Sequence, residues 1–262
     1  MTSIDTRTWR FVPPDDLFRD KTILVTGAGD GIGATLARTL AQLGAHVVLL
    51  GRTRQKLEVV FDWIEANTAT KPVIVPCNLA ELEPESTQAL HDAIAETYGV
   101  LHGLVHNASI LGPHLPIAHY PADEWLNVMQ VNANAPFLLT QGLYPLLDQA
   151  DEAVVLFVSS SVGREGRAYW GAYSASKFAL EGLAQILADE TEQAGTLSVY
   201  SVNPGGTRTA MRRAAYPGED PQSVPDPIEH MDLFTYLLGG SRHGEALPVT
   251  GTQLDARTWR VD

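Results

Sequence analysis

The sequence has one cysteine, few basic residues and no long apolar run. Cys77 stands alone among 262 residues, so no disulfide can form within the chain. The apolar stretches are interrupted well short of the roughly 20 residues that a membrane-spanning helix needs. The stretch before Lys21 also lacks the apolar core that is typical of a signal peptide. These absences predict a cytoplasmic protein with no membrane-spanning segment.

Basic side chains are outnumbered by acidic ones. Lys and Arg total 18 against 31 Asp and Glu, which gives a formal net charge of −13. Affinity for nucleic acid rests on clustered Lys and Arg that displace counterions from phosphates, so we expect no nucleic-acid partner. The eight His offer no ligand spacing with a nearby acidic partner, so we also expect no metal.

The apolar residues that are present fall into short runs. Runs typical of buried parallel strands occur at 22–26, 46–50, 72–76, 101–106, 153–158, 197–202 and, less regularly, 246–250. The segments between them carry helical spacing, as in Ile32, Leu36 and Leu40. This alternation predicts right-handed βαβ units, and hence an α/β fold with a three-layer, doubly wound parallel β-sheet of the Rossmann type.

A single domain accounts for the whole length, 1–262. Residues 1–20 precede the first predicted strand and form an N-terminal extension. From 207 to 244 the alternation fails, and the sequence becomes rich in proline and charge. Long irregular segments inside a domain are often functional loops. We therefore expect this segment to form a lid over the substrate.

A glycine-rich stretch, TGAGDGIG at 26–33, follows the first predicted strand and opens the first predicted helix. In that setting Gly27 permits a tight turn, Gly31 lets the backbone approach a pyrophosphate, and Gly33 lets the helix pack close to the sheet. The spacing differs from GxGxxG, so a turn used only for packing is the alternative. The position between strand and helix favours a nucleotide site.

The end of the second predicted strand carries the cofactor signal. No Asp or Glu occurs over 51–57, where a carboxylate would accept the ribose hydroxyls of NAD. Arg52 stands there instead, and its guanidinium matches the oxygens of a 2′-phosphate. We interpret Arg54 and Lys56 as a solvated helix face. These residues predict NADP(H) in preference to NAD(H).

Asp30 complicates that prediction, because a carboxylate near a 2′-phosphate repels it. Aspartate is also a favoured N-cap, which satisfies the free amides at the start of a helix. We favour the capping interpretation of Asp30 and keep NADP(H) as the predicted cofactor.

Tyr173 and Lys177 are four residues apart in a predicted helix, so their side chains leave the same face. A free tyrosine has a pKa of about 10. A neighbouring ammonium stabilises the phenolate and lowers that pKa. We therefore expect Lys177 to activate Tyr173 as the acid–base group. The alternative is an ordinary exposed pair, since this spacing also arises by chance.

Several motifs together resemble the short-chain dehydrogenase/reductase family over nearly the whole chain. They are TGAGDGIG at 26–33, HNAS at 106–109, VNAN at 131–134, VSSSVG at 158–163, YSASK at 173–177 and NPGGTRT at 203–209. More narrowly, SSSVGREGRAYWGAYSASKFA and NPGGTRTAMR are similar to an uncharacterised bacterial group within that family. The resemblance implies an oxidoreductase that transfers a hydride between a nicotinamide and a carbonyl or alcohol.

The resemblance also implies catalytic roles. Ser160 stands where the family has a serine that hydrogen-bonds the substrate oxygen, and Ser159 and Ser161 compete for that role. Asn132 matches a helix asparagine that helps to hold a water in the proton relay, with Asn134 as its competitor. The implied catalytic residues are Asn132, Ser160, Tyr173 and Lys177.

The implied cofactor site includes two departures from the family pattern. Asn78 stands where relatives commonly have an Asp that contacts adenine, and an amide oxygen can accept the same bond. Ser109 replaces a glycine where the backbone passes close to the cofactor. Thr209 matches the position that contacts the nicotinamide carboxamide, and Thr207 is nearly as well placed. The predicted cofactor-binding residues are Gly27, Asp30, Gly31, Ile32, Gly33, Arg52, Asn78, Leu79, Asn107, Ala108, Tyr173, Lys177, Pro204, Gly205, Thr207 and Thr209.

The substrate is a small carbonyl or alcohol compound that these motifs do not identify. We expect specificity to come from 110–120, 164–171 and 210–230. Candidates in the last segment are Met211, Arg212, Arg213 and Tyr216. An arginine pair there would suit an acidic substrate or would be solvated. Two alternative functions are a nucleotide-binding sensor or scaffold with little turnover, and a dehydratase or epimerase on the same fold. By resemblance alone we expect a homodimer or homotetramer.

Overall fold

Seven parallel strands form one sheet in the computed structural model, which describes residue 6 and residues 8–261. The strands are β1 (Thr22–Thr26), β2 (His46–Gly51), β3 (Val73–Pro76), β4 (Gly103–His106), β5 (Ala153–Val158), β6 (Leu197–Asn203) and β7 (Gln253–Asp255). Their order is β3-β2-β1-β4-β5-β6-β7. The order reverses between β1 and β4, and ligands of doubly wound sheets bind in the crevice at the carboxyl ends of such strands.

Helices cover both faces of the sheet. The α-helices of the described residues are α1 (Gly31–Gln42), α2 (Arg54–Asn67), α3 (Pro84–Tyr98), α4 (Ala122–Met129), α5 (Ala135–Asp148), α6 (Gly171–Thr191), α7 (Ala210–Ala215) and α8 (Met231–Gly239). Leu40, Leu57 and Phe234 from α1, α2 and α8 share one buried apolar cluster. Leu90 and Leu143 from α3 and α5 share a second cluster, which also includes residues of α6. The predicted three-layer Rossmann-type fold is confirmed.

Most predicted strands coincide with observed ones, because continuous apolar runs suit strands that are covered on both faces. The predicted strand at 246–250 is wrong. Pro248 has no N–H to donate to a ladder, and Val249 is 71% exposed. The last strand is β7, in which Leu254 pairs with Val202 of β6.

The predicted N-terminal extension and the predicted lid segment both contribute residues to the apolar core. Trp9 and Phe18 of the predicted extension are buried in the same cluster as α8. Residues 1–5 and 7 of that extension, and residue 262, lie outside the described residues. The predicted lid at 207–244 is not one irregular segment, because all nine residues of α8 are buried. The lid stays a prediction.

Candidate active site

A cavity of about 560 Å³ lies at the carboxyl ends of the strands, and it collects most of the predicted site residues. Those that line it are Gly27, Asp30, Gly31, Ile32, Arg52, Asn78, Leu79, Asn107, Ala108, Ser160, Tyr173, Lys177, Pro204, Gly205, Thr207 and Thr209. Gly33 and Asn132 are not among the lining residues. Both shape the cavity through the contacts they make behind it.

The glycine turn between β1 and α1 needs its glycines for two different reasons. Gly27 and Gly31 adopt φ values of 67° and 50°, which side chains rarely allow. Gly33 is required for packing, since a Cβ there would lie 2.3 Å from the carbonyl oxygen of Gly27 and 2.5 Å from Nδ2 of Asn107. The start of α1 is therefore held directly against the turn.

Asp30 is the N-cap of α1. One carboxylate oxygen accepts the Gly31 N–H at 2.8 Å, and the other lies 2.5 Å from Nζ of Lys56. The hydrogen bond from Lys56 is the main cause that lowers the pKa of Asp30. The capping interpretation agrees with this geometry. Lys56 is 56% exposed, as a solvated helix face should be, but it also lines the cavity and holds Asp30.

The end of β2 brings two further polar side chains to the cavity. Arg52 and Thr53 both line it directly after Gly51. Thr53 precedes α2, yet its hydroxyl makes no capping bond to that helix. Sequence reasoning missed Thr53, although a hydroxyl residue beside a basic residue at a helix start was a usable signal. Arg54 instead forms an exposed ion pair with Glu58, as a solvated helix face should.

The end of β3 contributes Asn78 and Leu79. The side-chain oxygen of Asn78 accepts the Ala80 N–H at 3.3 Å and so caps a short 3-10 turn. Leu79 is buried beside it, and both residues line the cavity. An amide next to an apolar side chain suits a planar heterocycle.

Asn107 and Ala108 tie the end of β4 to the glycine turn. Their backbone N–H groups both donate to Oγ1 of Thr26, at 3.0 and 2.9 Å. Nδ2 of Asn107 also donates to the carbonyl oxygen of Thr26 at 2.8 Å. These bonds hold the two strands together at the point where the strand order reverses.

Ser160 and Tyr173 both line the cavity, and the Ser160 side chain is the one neighbour that lowers the pKa of Tyr173. Ser160 follows β5, and Tyr173 lies in the first turn of α6. This effect distinguishes Ser160 from its neighbours. Ser161 does not line the cavity, and the Ser159 hydroxyl is buried with no hydrogen-bond partner among the described residues.

Lys177 is buried one helical turn after Tyr173. Its Nζ donates to the carbonyl oxygen of Val158 at 2.8 Å and lies 5.6 Å from the centre of the Tyr173 ring. Burial lowers the pKa of Lys177 to about 8, against the opposing effect of the Glu181 carboxylate. The ammonium is therefore still protonated at neutral pH.

The expected activation of Tyr173 by Lys177 is not seen. Burial raises the pKa of Tyr173 to about 12, and only the Ser160 side chain opposes the rise. Loss of hydration penalises the phenolate more than its neighbours stabilise it. Tyr173 therefore carries its proton at neutral pH, which is the form that can donate one.

Asn132 lies in a π-helical turn, Gln130–Asn134, between α4 and α5. Its amide accepts the Ile110 N–H and donates to the Ile110 carbonyl oxygen, both at 2.8 Å. Nδ2 also donates to Oγ of Ser176 at 3.1 Å. The side chain thus joins a cavity-lining loop to α6. Its role in a water relay stays a prediction.

The segment after β6 curves over the cavity. The side-chain oxygen of Asn203 accepts the Gly205 N–H at 3.0 Å. Thr207 is buried and its hydroxyl pairs with Nε2 of His230 at 3.0 Å. Thr209 caps α7 by accepting the backbone N–H of Arg212 at 3.1 Å. Both threonines line the cavity, so the choice between them stays open.

The predicted specificity segments supply the remaining wall. The residues from them that line the cavity include Ile110, Leu111, Trp170, Met211, Arg212 and Tyr216. Arg213 does not line the cavity, and Arg212 donates two hydrogen bonds to Glu219, at 2.7 and 2.6 Å. Of the two arginines considered for an acidic substrate, Arg212 lines the cavity with its guanidinium paired to Glu219, and Arg213 does not line it.

The donor set of the cavity fits a nicotinamide dinucleotide. Ser109 and Ser159 line the cavity, and the hydroxyl of each is buried without a hydrogen-bond partner among the described residues. A buried polar group without a partner costs free energy, which a bound polar ligand would recover. These two serines line the same cavity as the glycine turn and Arg52. The cavity therefore offers polar contacts for both the phosphates and the carboxamide of such a cofactor.

Histidines do not assemble a metal centre in the described residues, where no group of three or more His, Cys, Asp or Glu could hold an ion. His102 and His106 have the spacing HxxxH, but His102 precedes β4 and His106 is its last residue, so they do not share a helix face. His102 accepts the Thr22 N–H, and His106 pairs with Thr140. In the same part of the chain, no helix is long and apolar enough to cross a membrane.

Comparison with known proteins identifies the family. A family model described as short chain dehydrogenase matches residues 21–220. The chain belongs to that family. This short-chain dehydrogenase is 47% identical over 250 residues to the uncharacterized oxidoreductase YciK of Escherichia coli strain K12, across 95% of this chain and 97% of that one.

Two solved structures are also similar to this short-chain dehydrogenase. A short-chain dehydrogenase from Shigella flexneri 2a strain 301, complexed with NADP, is 47% identical with a TM-score of 0.88, over 94% of this chain and 100% of that one. One from Escherichia coli CFT073, complexed with NADPH, is 48% identical with a TM-score of 0.88, over the same shares of the two chains. The family and the fold predicted from the sequence motifs are thus confirmed.

Proposed function

We propose that this short-chain dehydrogenase uses NADP(H) to transfer a hydride between the nicotinamide and a carbonyl or alcohol compound, with reduction as the favoured direction. The observation that carries the proposal is that Ser160, Tyr173 and the buried Lys177 line the same cavity as the glycine turn, with Nζ of Lys177 5.6 Å from the centre of the Tyr173 ring.

The proton chemistry belongs to the chain's own residues. Ser160 holds the carbonyl oxygen of the substrate, and Tyr173 gives that oxygen a proton. Tyr173 carries its proton at neutral pH, as the donor in carbonyl reduction must, and burial raises its pKa further, to about 12. Lys177 supplies positive charge near the phenolate that remains. When bound, the cofactor supplies the hydride.

The cavity offers matched contacts along the length of a dinucleotide. The glycine turn, Gly27–Gly33, would hold the pyrophosphate, and Asn78 with Leu79 would hold the adenine. Arg52 would contact a 2′-phosphate. The NADP and NADPH in the two similar structures support the same cofactor here. Asn107 and the segment Pro204–Thr209 would position the nicotinamide.

Replacement of Tyr173 by Phe tests the proposal, because it removes the proton donor and keeps the ring. We expect loss of NADPH-dependent aldehyde reduction, with the Kd for NADPH changed less than about threefold, since the phenol contributes one bond at most. NADPH absorbance and fluorescence report the two quantities. Turnover at the wild-type rate would refute the catalytic role of Tyr173.

We extend the proposal to a cytoplasmic homo-oligomer. The support is a set of apolar side chains that are exposed on α4, α5 and α6, namely Leu126, Phe137, Phe178 and Ile186. Exposed apolar surface of this kind is a mark of protein–protein contact. A second copy of the chain is the partner that we expect. The lone cysteine suits a reducing compartment.

A further inference from the structure

The end of the cavity beside Tyr173 is built from aromatic rings. The ring of Trp170 lies 5.8 Å from that of Tyr173, and the ring of Tyr216 lies 6.0 Å from Trp170. All three line the cavity. His114 packs against Trp170 at 4.7 Å and supports it. A broad apolar surface therefore adjoins the phenol that would reach the reacting oxygen.

The charged side chain that lines the aromatic end of the cavity is already paired with a carboxylate. Among the described residues, the charged side chains that line the cavity are Asp30, Arg52, Lys56, Lys177 and Arg212. The first three surround the glycine turn and the end of β2, and Lys177 is buried under Tyr173. Arg212 alone faces the aromatic end, where Glu219 takes both of its hydrogen bonds.

The Arg212 guanidinium is held from two sides. Besides the two-bond pair with Glu219, it lies 3.8 Å from the centre of the Tyr216 ring. Arg167 also donates to the Tyr216 hydroxyl at 3.1 Å and fixes that ring. Arg167 lies 5.8 Å from the Trp170 ring but does not line the cavity. Within the cavity wall, an entering carboxylate would have to displace Glu219 from Arg212 or stay without a cationic partner, and either course disfavours it against a neutral analogue.

We propose that the substrate is a neutral carbonyl compound with a planar aromatic or conjugated body that stacks on Trp170. The Arg212–Glu219 pair excludes carboxylated analogues of the same shape. This inference rests on the proposed function, because it names the substrate class of that site. It replaces the acidic substrate that two arginines in the sequence would suit.

The test compares three aldehydes with NADPH: 2-naphthaldehyde, its saturated analogue, and 6-formyl-2-naphthoate. We expect the wild type to prefer the neutral naphthaldehyde over the carboxylated one by about tenfold or more in kcat/KM. Trp170→Leu should lower kcat/KM for naphthaldehyde by about two- to tenfold and affect the saturated aldehyde less. Trp170→Phe, which keeps an aromatic face, should retain most of the preference.

Glu219→Gln should free Arg212 and raise kcat/KM for the carboxylated aldehyde by about fivefold or more. Arg213→Gln is the matched control, because Arg213 is exposed on α7 and does not line the cavity. Arg213→Gln should leave kcat/KM unchanged for both the neutral and the carboxylated aldehyde. Equal use of the neutral and carboxylated aldehydes by the wild type would overturn the inference and leave hydride transfer intact.

A binding measurement separates the two proposals. If none of the three aldehydes is reduced, the proposed function fails for this class of substrate. Titration calorimetry of the corresponding alcohols, with NADP⁺ present, then decides the substrate class independently of turnover. The aromatic neutral alcohol must bind most tightly for the inference to stand, and equal affinities would overturn it.

Discussion

The ammonium of Lys56 lies 2.5 Å from the carboxylate of Asp30 and so joins the start of α2 to the glycine turn. Both side chains line the cavity and are 56% exposed. Asp30, whose carboxylate would by itself repel a 2′-phosphate, therefore holds the Lys56 ammonium beside it in the cavity wall. Its charge is balanced locally rather than presented alone to the cofactor.

This pairing predicts opposite effects from its two members. Lys56→Met leaves the Asp30 carboxylate unbalanced and should weaken NADPH binding by about tenfold, or about 1.4 kcal/mol, with a smaller effect on NADH. Asp30→Asn should leave NADPH binding unchanged or tighter. Fluorescence titration measures both Kd values. Arg54→Gln, outside the cavity, is the control, and an equal loss for NADPH and NADH in Lys56→Met would contradict the prediction.

Arg52 should decide the choice of cofactor. The wild type should bind NADPH more tightly than NADH. Arg52→Ala removes a charge-assisted contact of about 1.5–3 kcal/mol, which corresponds to roughly ten- to a hundredfold in the Kd for NADPH. NADH binding should change little, because it has no 2′-phosphate. Tighter binding of NADH than of NADPH by the wild type would remove the basis for the NADP(H) proposal.

His106 should make the fold sensitive to acid. Burial, and then the Lys177 ammonium, lowers its pKa to about 3, against 6.5 in the unfolded chain. The unfolded state binds more protons between these values, so stability is fully present above pH 6.5 and is lost as the pH falls toward 3. The slope is about 1.4 kcal/mol per pH unit for this histidine.

Urea unfolding from pH 7.5 to 5 measures that slope. Below pH 6.5, His106→Asn should reduce it by up to about 1.4 kcal/mol per pH unit, and it should cost about 1 kcal/mol at pH 7.5 through the lost bond to Thr140. His102, whose pKa burial lowers to about 4, should maintain part of the slope in the variant. The exposed His119 provides the control His119→Asn. An unchanged slope in His106→Asn would count against a buried, neutral His106.

Phe178 tests the proposed self-association. It is 45% exposed on α6, which packs against α4. Phe178→Glu places a charge in the contact and should convert the oligomer to a monomer, as measured by light scattering after size exclusion. Val59→Glu, at a 62% exposed position on α2, should leave the oligomer intact. A monomeric wild type would contradict the proposal outright.

Much of the fold and of the candidate site could be predicted from short sequence patterns. The glycine turn, the apolar strands and the four-residue spacing of Tyr173 and Lys177 are recognisable because each depends on neighbours in sequence. The strand at 246–250 failed for a local reason as well, since Pro248 removes a ladder donor. By contrast, the role of Lys56 was missed because its partner, Asp30, is 26 residues away in the chain.

The sequence alone determined the family, the Rossmann-type fold and the identity of most cavity-lining residues, because these follow from periodicity and from contiguous motifs. Tertiary structure decided which charges are free and which are paired. Glu219 neutralises Arg212, Lys56 balances Asp30, and burial raises the pKa of Tyr173. Such outcomes depend on desolvation and on partners from other elements, and spacing along the chain encodes neither.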